Sequence, residues 1–265
     1  MTTHRPNGVR RGRLLAAAIV SLGLVAGACS KKDETTTTPT ETTTVDTGVT
    51  TETTTAETTP TTEAMKDPVA GGTVIVSGEA EVANPWTPAA MQCDSYCQQR
   101  ARTFYDPLVA YNEDLEVTGV LLESWTNNAD YTEWTFTVRS GISFTDGTPL
   151  NAAAVVKNLQ ATGTGLLISA AVTDIGKNPD GSLAIEATGD MTFTVKTGKN
   201  GDLSQPRPWP NLPAAFAGQL GFVASPTWLD AVAANTGDAT KPIGTGPFIV
   251  ESYAPRDKLV VKRNP

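Results

Sequence analysis

The sequence has almost no histidine, and this scarcity excludes several kinds of catalytic site. The only histidine among the 265 residues is His4, which lies in a segment that we expect to be removed. A chain without histidine can form neither a Ser/His/Asp nor a Cys/His catalytic unit, and it cannot supply the histidine ligands of a zinc enzyme. The three cysteines are too few for a four-cysteine zinc site. The composition therefore excludes many classes of enzyme, and we expect no catalytic residues, metal or cofactor.

Basic residues are also scarce. The chain has 20 Lys and Arg against 28 Asp and Glu, and four of the arginines fall within the first 28 residues. From residue 29 onward, 16 basic residues face 28 acidic ones, which gives a formal charge of −12. Binding to phosphate backbones requires a basic face, so nucleic acid is excluded as a partner.

No apolar run is long enough to cross a bilayer, but a shorter one stands near the N-terminus. Residues 14–28 (LLAAAIVSLGLVAGA) follow a basic stretch and end on small residues immediately before Cys29. Fifteen residues fall short of the roughly 20 that a transmembrane helix needs, and the pattern is that of a secretory signal. Residues 24–29 (LVAGAC) resemble a bacterial lipobox. We therefore expect a lipoprotein signal peptide over 1–28 and acylation of Cys29, which would anchor the chain to the membrane.

Residues 29–70 contain little that could be buried. Between residues 35 and 62, 18 of the 28 residues are threonine, and glutamates recur along the run. Because no apolar alternation accompanies the threonines, the composition predicts a disordered, solvated tether. O-glycosylation of the threonine run is a more specific alternative, which the sequence leaves open.

Regular elements are predicted from residue 71 onward. Alternation at 134–139 indicates a strand with one buried face, and Asn151 stands where the N-cap of a helix over 152–160 belongs. Further predicted strands are 73–76, 171–175, 183–187, 192–196, 221–224, 248–253 and 259–262, and further predicted helices are 93–105, 212–220 and 226–234. Strands and helices are interspersed without a regular βαβ repeat, which predicts an α/β fold of the mixed α+β kind.

Six sequence blocks in the 71–265 region carry a family resemblance. They are GGTVIV at 71–76, FYDPLV at 104–109, LLESW at 121–125, FTVR at 136–139, FTDGTPL at 144–150 and IGTGPF at 243–248. In this order they resemble the extracytoplasmic solute-binding proteins of family 5, which are the peptide, dipeptide and nickel receptors of ABC importers. The resemblance implies a periplasmic-binding-protein-like lobe of type II. It also implies a monomeric receptor that captures oligopeptides or similar solutes outside the membrane and delivers them to a permease.

Members of that family are about twice as long as this chain, and they close a cleft between two lobes over the ligand. We therefore expect residues 71–265 to form the N-terminal part of the solute-binding domain, an incomplete first lobe with one wall of the cleft. Such a chain should bind oligopeptides poorly, because half of the contacts are missing.

The resemblance also implies where that wall contacts the ligand. The stretch that lines the cleft in peptide receptors corresponds to residues 84–92 and nearby Tyr96. We take Asn84, Trp86, Met91, Gln92 and Tyr96 as candidate ligand-binding residues. For Trp86 and Tyr96, a structural role in the core is an equally weighted alternative.

Cys93 and Cys97 are the two thiols that remain after acylation of Cys29. Export to an oxidising compartment favours their pairing. Four residues apart on a helix, their Cα atoms would lie about 6 Å from each other, within the range of a disulfide. We therefore predict a local disulfide between them.

A second class of function remains compatible with the same features. A non-transport surface lipoprotein, such as a sensor or an adhesin, could present this fold on the threonine-rich tether. Neighbouring permease and ATPase genes would favour the importer, whereas an adhesin would lack them.

The first testable prediction concerns the membrane anchor. Cells that express the protein and are fed a radioactive fatty acid should label the wild type, because the Cys29 sulfur carries the acyl chain. The Cys29→Ser variant should be unlabelled, and equal labelling of the two would show that the anchor is assigned wrongly.

Overall fold

The computed structural model describes residues 71–78 and 86–265. The predicted signal peptide (1–28), the whole of the predicted tether (29–70) and the candidate residues Cys29 and Asn84 lie outside these ranges. The α-helices are α1 (Ser95–Phe104), α2 (Ala152–Thr162), α3 (Leu212–Ala215) and α4 (Pro226–Ala233), and the two 3-10 helices are Ile168–Val172 and Gln219–Gly221. The strands are β1 (Val109–Tyr111), β2 (Val117–Gly119), β3 (Leu122–Asn127), β4 (Glu133–Val138), β5 (Ile185–Ala187), β6 (Thr192–Lys196), β7 (Gly198–Lys199), β8 (Asp202–Pro206), β9 (Phe248–Ala254) and β10 (Lys258–Arg263). The mixed α/β fold class predicted from the sequence is confirmed.

The main sheet has four antiparallel strands in the order β3-β4-β6-β5. In β4 the alternating residues Trp134, Phe136 and Val138 are buried, as the pattern predicts. Phe136 pairs with Phe193 of β6, and their rings stack with centroids 5.1 Å apart. Cross-strand aromatic pairs of this kind stabilise a sheet and help to fix its register.

Helix α2 covers one face of this sheet. Its first turn is capped by Asn151, whose side-chain oxygen accepts a hydrogen bond from Ala154 N at 2.9 Å. Val155 and Leu159 face the sheet and are buried. The predicted cap and helix are thus confirmed. The helix and the sheet bury a cluster of apolar side chains that we call the sheet core. It includes Leu122, Phe136, Val155, Leu159, Phe193, Val195, Phe216 and Val223.

A second cluster lies beneath the hairpin of β9 and β10, which pair with no other strand among the described residues. This hairpin core contains Trp86, Met91, Cys97, Ala101, Phe104, Tyr105, Phe222, Ala224, Trp228 and Val250. Its residues come from α1 and the following Tyr105, from residues 222–224, α4, the hairpin and residues 86–91, so segments distant in sequence meet here.

Residues 222–224 run between the two cores. Phe222 and Ala224 belong to the hairpin core, whereas Val223 belongs to the sheet core. The backbone of Ala224 is held by Asn158 of α2, whose side-chain oxygen accepts from Ala224 N at 3.0 Å and whose Nδ2 donates to Ala224 O at 2.9 Å. Asn158 is only 3% exposed, so these bonds are made away from water.

The sequence prediction of a strand over 221–224 was therefore wrong. Apart from a single bridge between Phe222 and Pro107, this extended segment pairs with no strand in the described part of the chain. The side-chain amide of Asn158 forms hydrogen bonds with the backbone of Ala224 in place of a neighbouring strand. The side chains of this segment alternate because they are buried in two different cores.

Three other predicted elements differ in the structure. Residues 73–76 make no strand, and Val74, Ile75 and Val76 are 80 to 89% exposed, because the described residues provide no strand beside them. Residues 171–175 lie partly in the 3-10 helix Ile168–Val172, and only Ile175 makes an isolated bridge. The predicted helix 212–220 is divided at Gly218 into α3 and the 3-10 helix Gln219–Gly221.

Strand β5 begins two residues later than predicted because a side chain occupies its edge. Leu183 N donates to Oε1 of Gln160 at 2.9 Å, and Gln160 Nε2 donates to the carbonyl oxygens of Leu183 and Ile185 at 2.8 and 3.0 Å. The α2 side chain thus satisfies backbone groups at the open edge of the sheet, where another chain could otherwise pair.

The turn at residues 144–149 links the sheet core to α4. Gly147 adopts φ +83°, which suits a residue without Cβ. The hydroxyl of Ser225 donates to Asp146 Oδ2 at 2.6 Å, and Thr148 N donates to Asp146 Oδ1 at 2.9 Å. Burial opposes ionisation of Asp146, but these hydrogen bonds outweigh it and hold the pKa of its carboxyl below the ordinary value.

The second prediction concerns the Asn158 bridge. Asn158→Ala should lower the free energy of unfolding by about 2 to 4 kcal/mol, because it leaves two backbone groups of Ala224 unpaired and buried. Urea denaturation would measure the change. Gln99→Ala, at an exposed position of α1, is the control and should change stability by about 0.5 kcal/mol or less. Equal stability of Asn158→Ala and wild type would contradict this role.

Candidate functional site

Residues 86–92 form the described part of the loop in which the sequence placed the ligand contacts. Ala90 N and Met91 N both donate to the carbonyl oxygen of Thr87, at 2.9 and 3.0 Å, so the chain folds into a tight turn before α1. Two backbone carbonyls of the loop, those of Pro88 and Met91, accept hydrogen bonds from Gln219 Nε2 at 2.9 and 2.7 Å. The loop therefore has a fixed shape.

Trp86 does not lie on the surface, contrary to the prediction of a cleft position. It has no solvent exposure, and its ring packs edge-on against Phe104 and Tyr253, each with centroids 5.2 Å away. The guanidinium of Arg100 lies 5.8 Å from the centre of the indole ring, close enough for a cation–π contact. Of the two roles considered for Trp86, the structure supports the one in the core.

The backbone of Trp86 is fixed as well. The hydroxyl of Tyr105 donates to Trp86 O at 2.8 Å, and Trp86 N donates to Ala239 O at 3.3 Å. Burial raises the pKa of Tyr105 well above its ordinary value, so this hydroxyl remains a donor across the accessible pH range.

Met91 is also buried, at 1% exposure, whereas Gln92 is exposed and Tyr96 is half-buried. A Cβ placed on Gly78 would lie 3.2 Å from Cδ1 of Tyr96, so the chain at residue 78 runs against this ring. Among the described candidates, Gln92 and Tyr96 can reach a ligand directly, and Met91 can act only by supporting the loop.

A disulfide joins Cys93 to Cys97 at the start of α1, with the two Cα atoms 5.0 Å apart. Asp94, between them, caps the helix by accepting a hydrogen bond from Cys97 N at 2.8 Å. Cys97 is buried in the hairpin core, so the disulfide ties the end of the loop to that core. Gln92 immediately precedes the disulfide, and Tyr96 lies inside the turn that it closes.

Two residues that shape the loop were not identified from the sequence. Gln219 reaches it from 128 residues away, and no local pattern marks such a contact. Gly165 is the other, since a Cβ at this position would lie 2.3 Å from the Ala89 carbonyl oxygen. Its place in the Gly-Thr-Gly sequence at 163–165 was a signal that the chain turns there, but not of what it approaches.

Trp134 lies on the buried face that the alternation at 134–139 predicts, and Trp125 packs against the sheet core. In the described ranges, no group of three or more His, Cys, Asp or Glu residues is placed to hold a metal ion. None of the helices described there combines the length and the apolar character needed to cross a bilayer.

Comparison with known proteins identifies the class of protein to which this chain belongs. The profile of "Bacterial extracellular solute-binding proteins, family 5 Middle" matches residues 116–265. The chain belongs to this family of binding proteins, as the sequence blocks indicated.

Individual relatives are similar to parts of the chain. The glutathione-binding protein GsiB of Salmonella typhi is 29% identical over 184 residues, which cover 64% of this chain and 30% of the relative. The nickel-binding periplasmic protein of Escherichia coli K12 is 42% identical over 57 residues, which cover 22% of this chain and 11% of that protein. The chain thus spans about three tenths of the length of its glutathione-binding relatives.

Solved structures show the same fold. The murein tripeptide binding protein MppA of Escherichia coli superimposes with a TM-score of 0.57 at 25% identity, over 69% of this chain and 36% of that one. The nickel ABC transporter protein of Bacillus halodurans gives a TM-score of 0.53 at 24% identity, over 70% of this chain and 33% of that one. These are type II periplasmic binding proteins, and the predicted type of lobe is confirmed.

The third prediction concerns the oxidation state of the loop. In exported protein, Cys93 and Cys97 should be found as a disulfide, because their Cα separation lies within the bonding range. Mass spectrometry of peptides alkylated without reduction would detect the linked pair. A reduced and alkylated sample is the control, and recovery of two alkylated thiols without reduction would contradict the prediction.

Proposed function

We propose that this protein is the substrate-binding component of an ABC importer, which captures oligopeptides or similar small solutes outside the cytoplasmic membrane and delivers them to a permease. The observation that carries the proposal is membership of the family 5 solute-binding proteins over residues 116–265. Anchoring through Cys29 would keep the receptor beside the permease, and that part of the proposal depends on the lipobox alone.

A peptide-like ligand is favoured over a nickel chelate. The relatives include glutathione-binding proteins, and the structural neighbours include a murein tripeptide binding protein. The only histidine of the given sequence, His4, falls in the predicted signal peptide, so residues 29–265 supply no imidazole ligand for nickel.

The 86–92 loop with Tyr96 is the proposed contact surface on this part of the protein. Trp86 and Met91 anchor the loop in the hairpin core, and Gln219 holds its backbone. Gln92 and Tyr96 then offer an amide and a phenol ring to the ligand from a surface that is already ordered. An ordered surface loses less conformational entropy on binding.

The fourth prediction tests this surface by calorimetry with glutathione and with a pool of tripeptides to pentapeptides. A chain extended by the second lobe should bind at micromolar concentration, and Gln92→Ala with Tyr96→Ala should weaken binding about tenfold or more, equivalent to ~1.4 kcal/mol. Gln99→Ala, on an exposed position of α1, is the matched control and should bind as the wild type does.

The 265-residue chain alone should bind these peptides weakly or not at all, because one wall provides about half of the contacts and immobilising the ligand costs at least about 4 kcal/mol. Micromolar binding by this chain would show that the length or the site has been misjudged. Absence of binding by the extended chain would favour the surface lipoprotein without a transport role.

A further inference from the structure

A surface cavity of about 220 Å³ lies on the sheet side of the molecule, apart from the 86–92 loop. It is lined by Asp174, Arg207, Pro208, Trp209, Pro210 and Asn211. The wall formed by residues 207–211 connects β8 to α3, and Asp174 follows the 3-10 helix Ile168–Val172. Ligand pockets for drug-sized molecules measure about 300 to 1,000 Å³, so this cavity suits a smaller molecule, of the size of a single ring.

The backbone of this wall is held in place on both sides of the cavity. Trp209 N donates to Tyr131 O at 2.9 Å, and the hydroxyl of Thr197 donates to Arg207 O at 2.5 Å. Pro208 and Pro210 fix their own φ angles and flank the tryptophan. Arg207 and Trp209 are therefore presented from a rigid segment, which lowers the entropy lost on binding.

Hydrogen-bond donors exceed free acceptors among the side chains that line the cavity. Asp174 is already engaged, since its Oδ1 accepts from Asn200 N at 3.0 Å and its Oδ2 lies 3.2 Å from Arg207 Nε. Within the described residues, neither the Nη atoms of Arg207 nor the side chains of Trp209 and Asn211 make a hydrogen bond. A molecule that fills the cavity would contact Arg207, Trp209 and Asn211, whose side chains carry these N–H donors, so an acceptor-rich ligand fits best.

The charge and the shape of the cavity restrict the chemical class of its ligand further. A guanidinium edge with two free Nη atoms matches the two oxygens of a carboxylate. Asp174 balances the charge of Arg207, which favours a singly charged anion over a doubly charged phosphate. Trp209 is half-buried, and with the two prolines it gives the cavity apolar walls. We propose that this cavity binds a small monocarboxylate with a flat apolar body, such as an aromatic acid.

The fifth prediction tests the cavity on the 265-residue chain with ¹⁵N-labelled tryptophan. Titration with benzoate should shift the indole N–H resonance of Trp209 saturably, with the resonance assigned from Trp209→Phe. Benzamide, which has the same shape without the charge, should cause no saturable shift. Saturable shifts of equal size with benzamide, or no saturable shift with benzoate, would overturn the proposal.

Substitutions of Arg207 test whether its side chain binds the carboxylate of benzoate. Arg207→Gln should weaken benzoate binding about tenfold or more, because it removes the charge-assisted hydrogen bonds to the carboxylate. Arg207→Lys, which retains the charge but not the planar fork, should bind with intermediate affinity. Arg263→Gln, exposed on β10, is the matched control and should bind as the wild type does. The other indole resonances report whether each variant is folded. Wild-type affinity in Arg207→Gln would overturn the proposal, and this result does not depend on whether peptides bind at the 86–92 loop.

Discussion

The double hydrogen bond between Asn158 and Ala224 is the constraint on which both cores depend. Residues 222–224 separate the cores, and their side chains alternate between them, so the segment must stay extended with its polar backbone buried. No strand of the described chain pairs with Ala224. The amide of Asn158 supplies the missing donor and acceptor from α2. Because buried backbone groups without partners are costly, this one side chain allows sheet core and hairpin core to pack on opposite sides of a single extended segment.

The hydrogen bonds between Asn158 and Ala224 also affect the candidate site, because the hairpin core connects the two. Phe222 stacks on Tyr105, with ring centroids 5.9 Å apart, and Tyr105 in turn donates its hydroxyl to the carbonyl of Trp86. The position of the 86–92 loop is therefore set by contacts that begin at the segment between the cores. Gln219, which immediately precedes this region, holds the same loop through two carbonyl oxygens. The loop and the segment form one connected unit.

Local patterns predicted the elements that local interactions stabilise. The alternation in β4 and the cap at Asn151 were sufficient, because each depends on neighbours in sequence and on burial of one face. Predictions failed where a distant group supplied the partner, as at 221–224, or where no described partner strand exists, as at 73–76. Trp86 was misplaced for the same reason. A proline-rich loop indicates a surface, whereas the Trp86 ring is buried by contacts with residues distant in sequence, among them Phe104 and Tyr253.

The family could be recognised from short blocks, but the geometry of the site could not. Between residues 86 and 97 the chain is anchored by the Trp86 ring, by Met91 and by Cys97, all in the hairpin core. Gln92 and Tyr96 lie between these anchors. Gln92 stands just before the turn that the disulfide closes, and Tyr96 lies within that turn. A residue whose backbone is already fixed on both sides loses little backbone entropy when a ligand binds, so more of its contact energy is retained. This arrangement gives two modest polar groups, an amide and a phenol, a physical basis for acting as a specific surface.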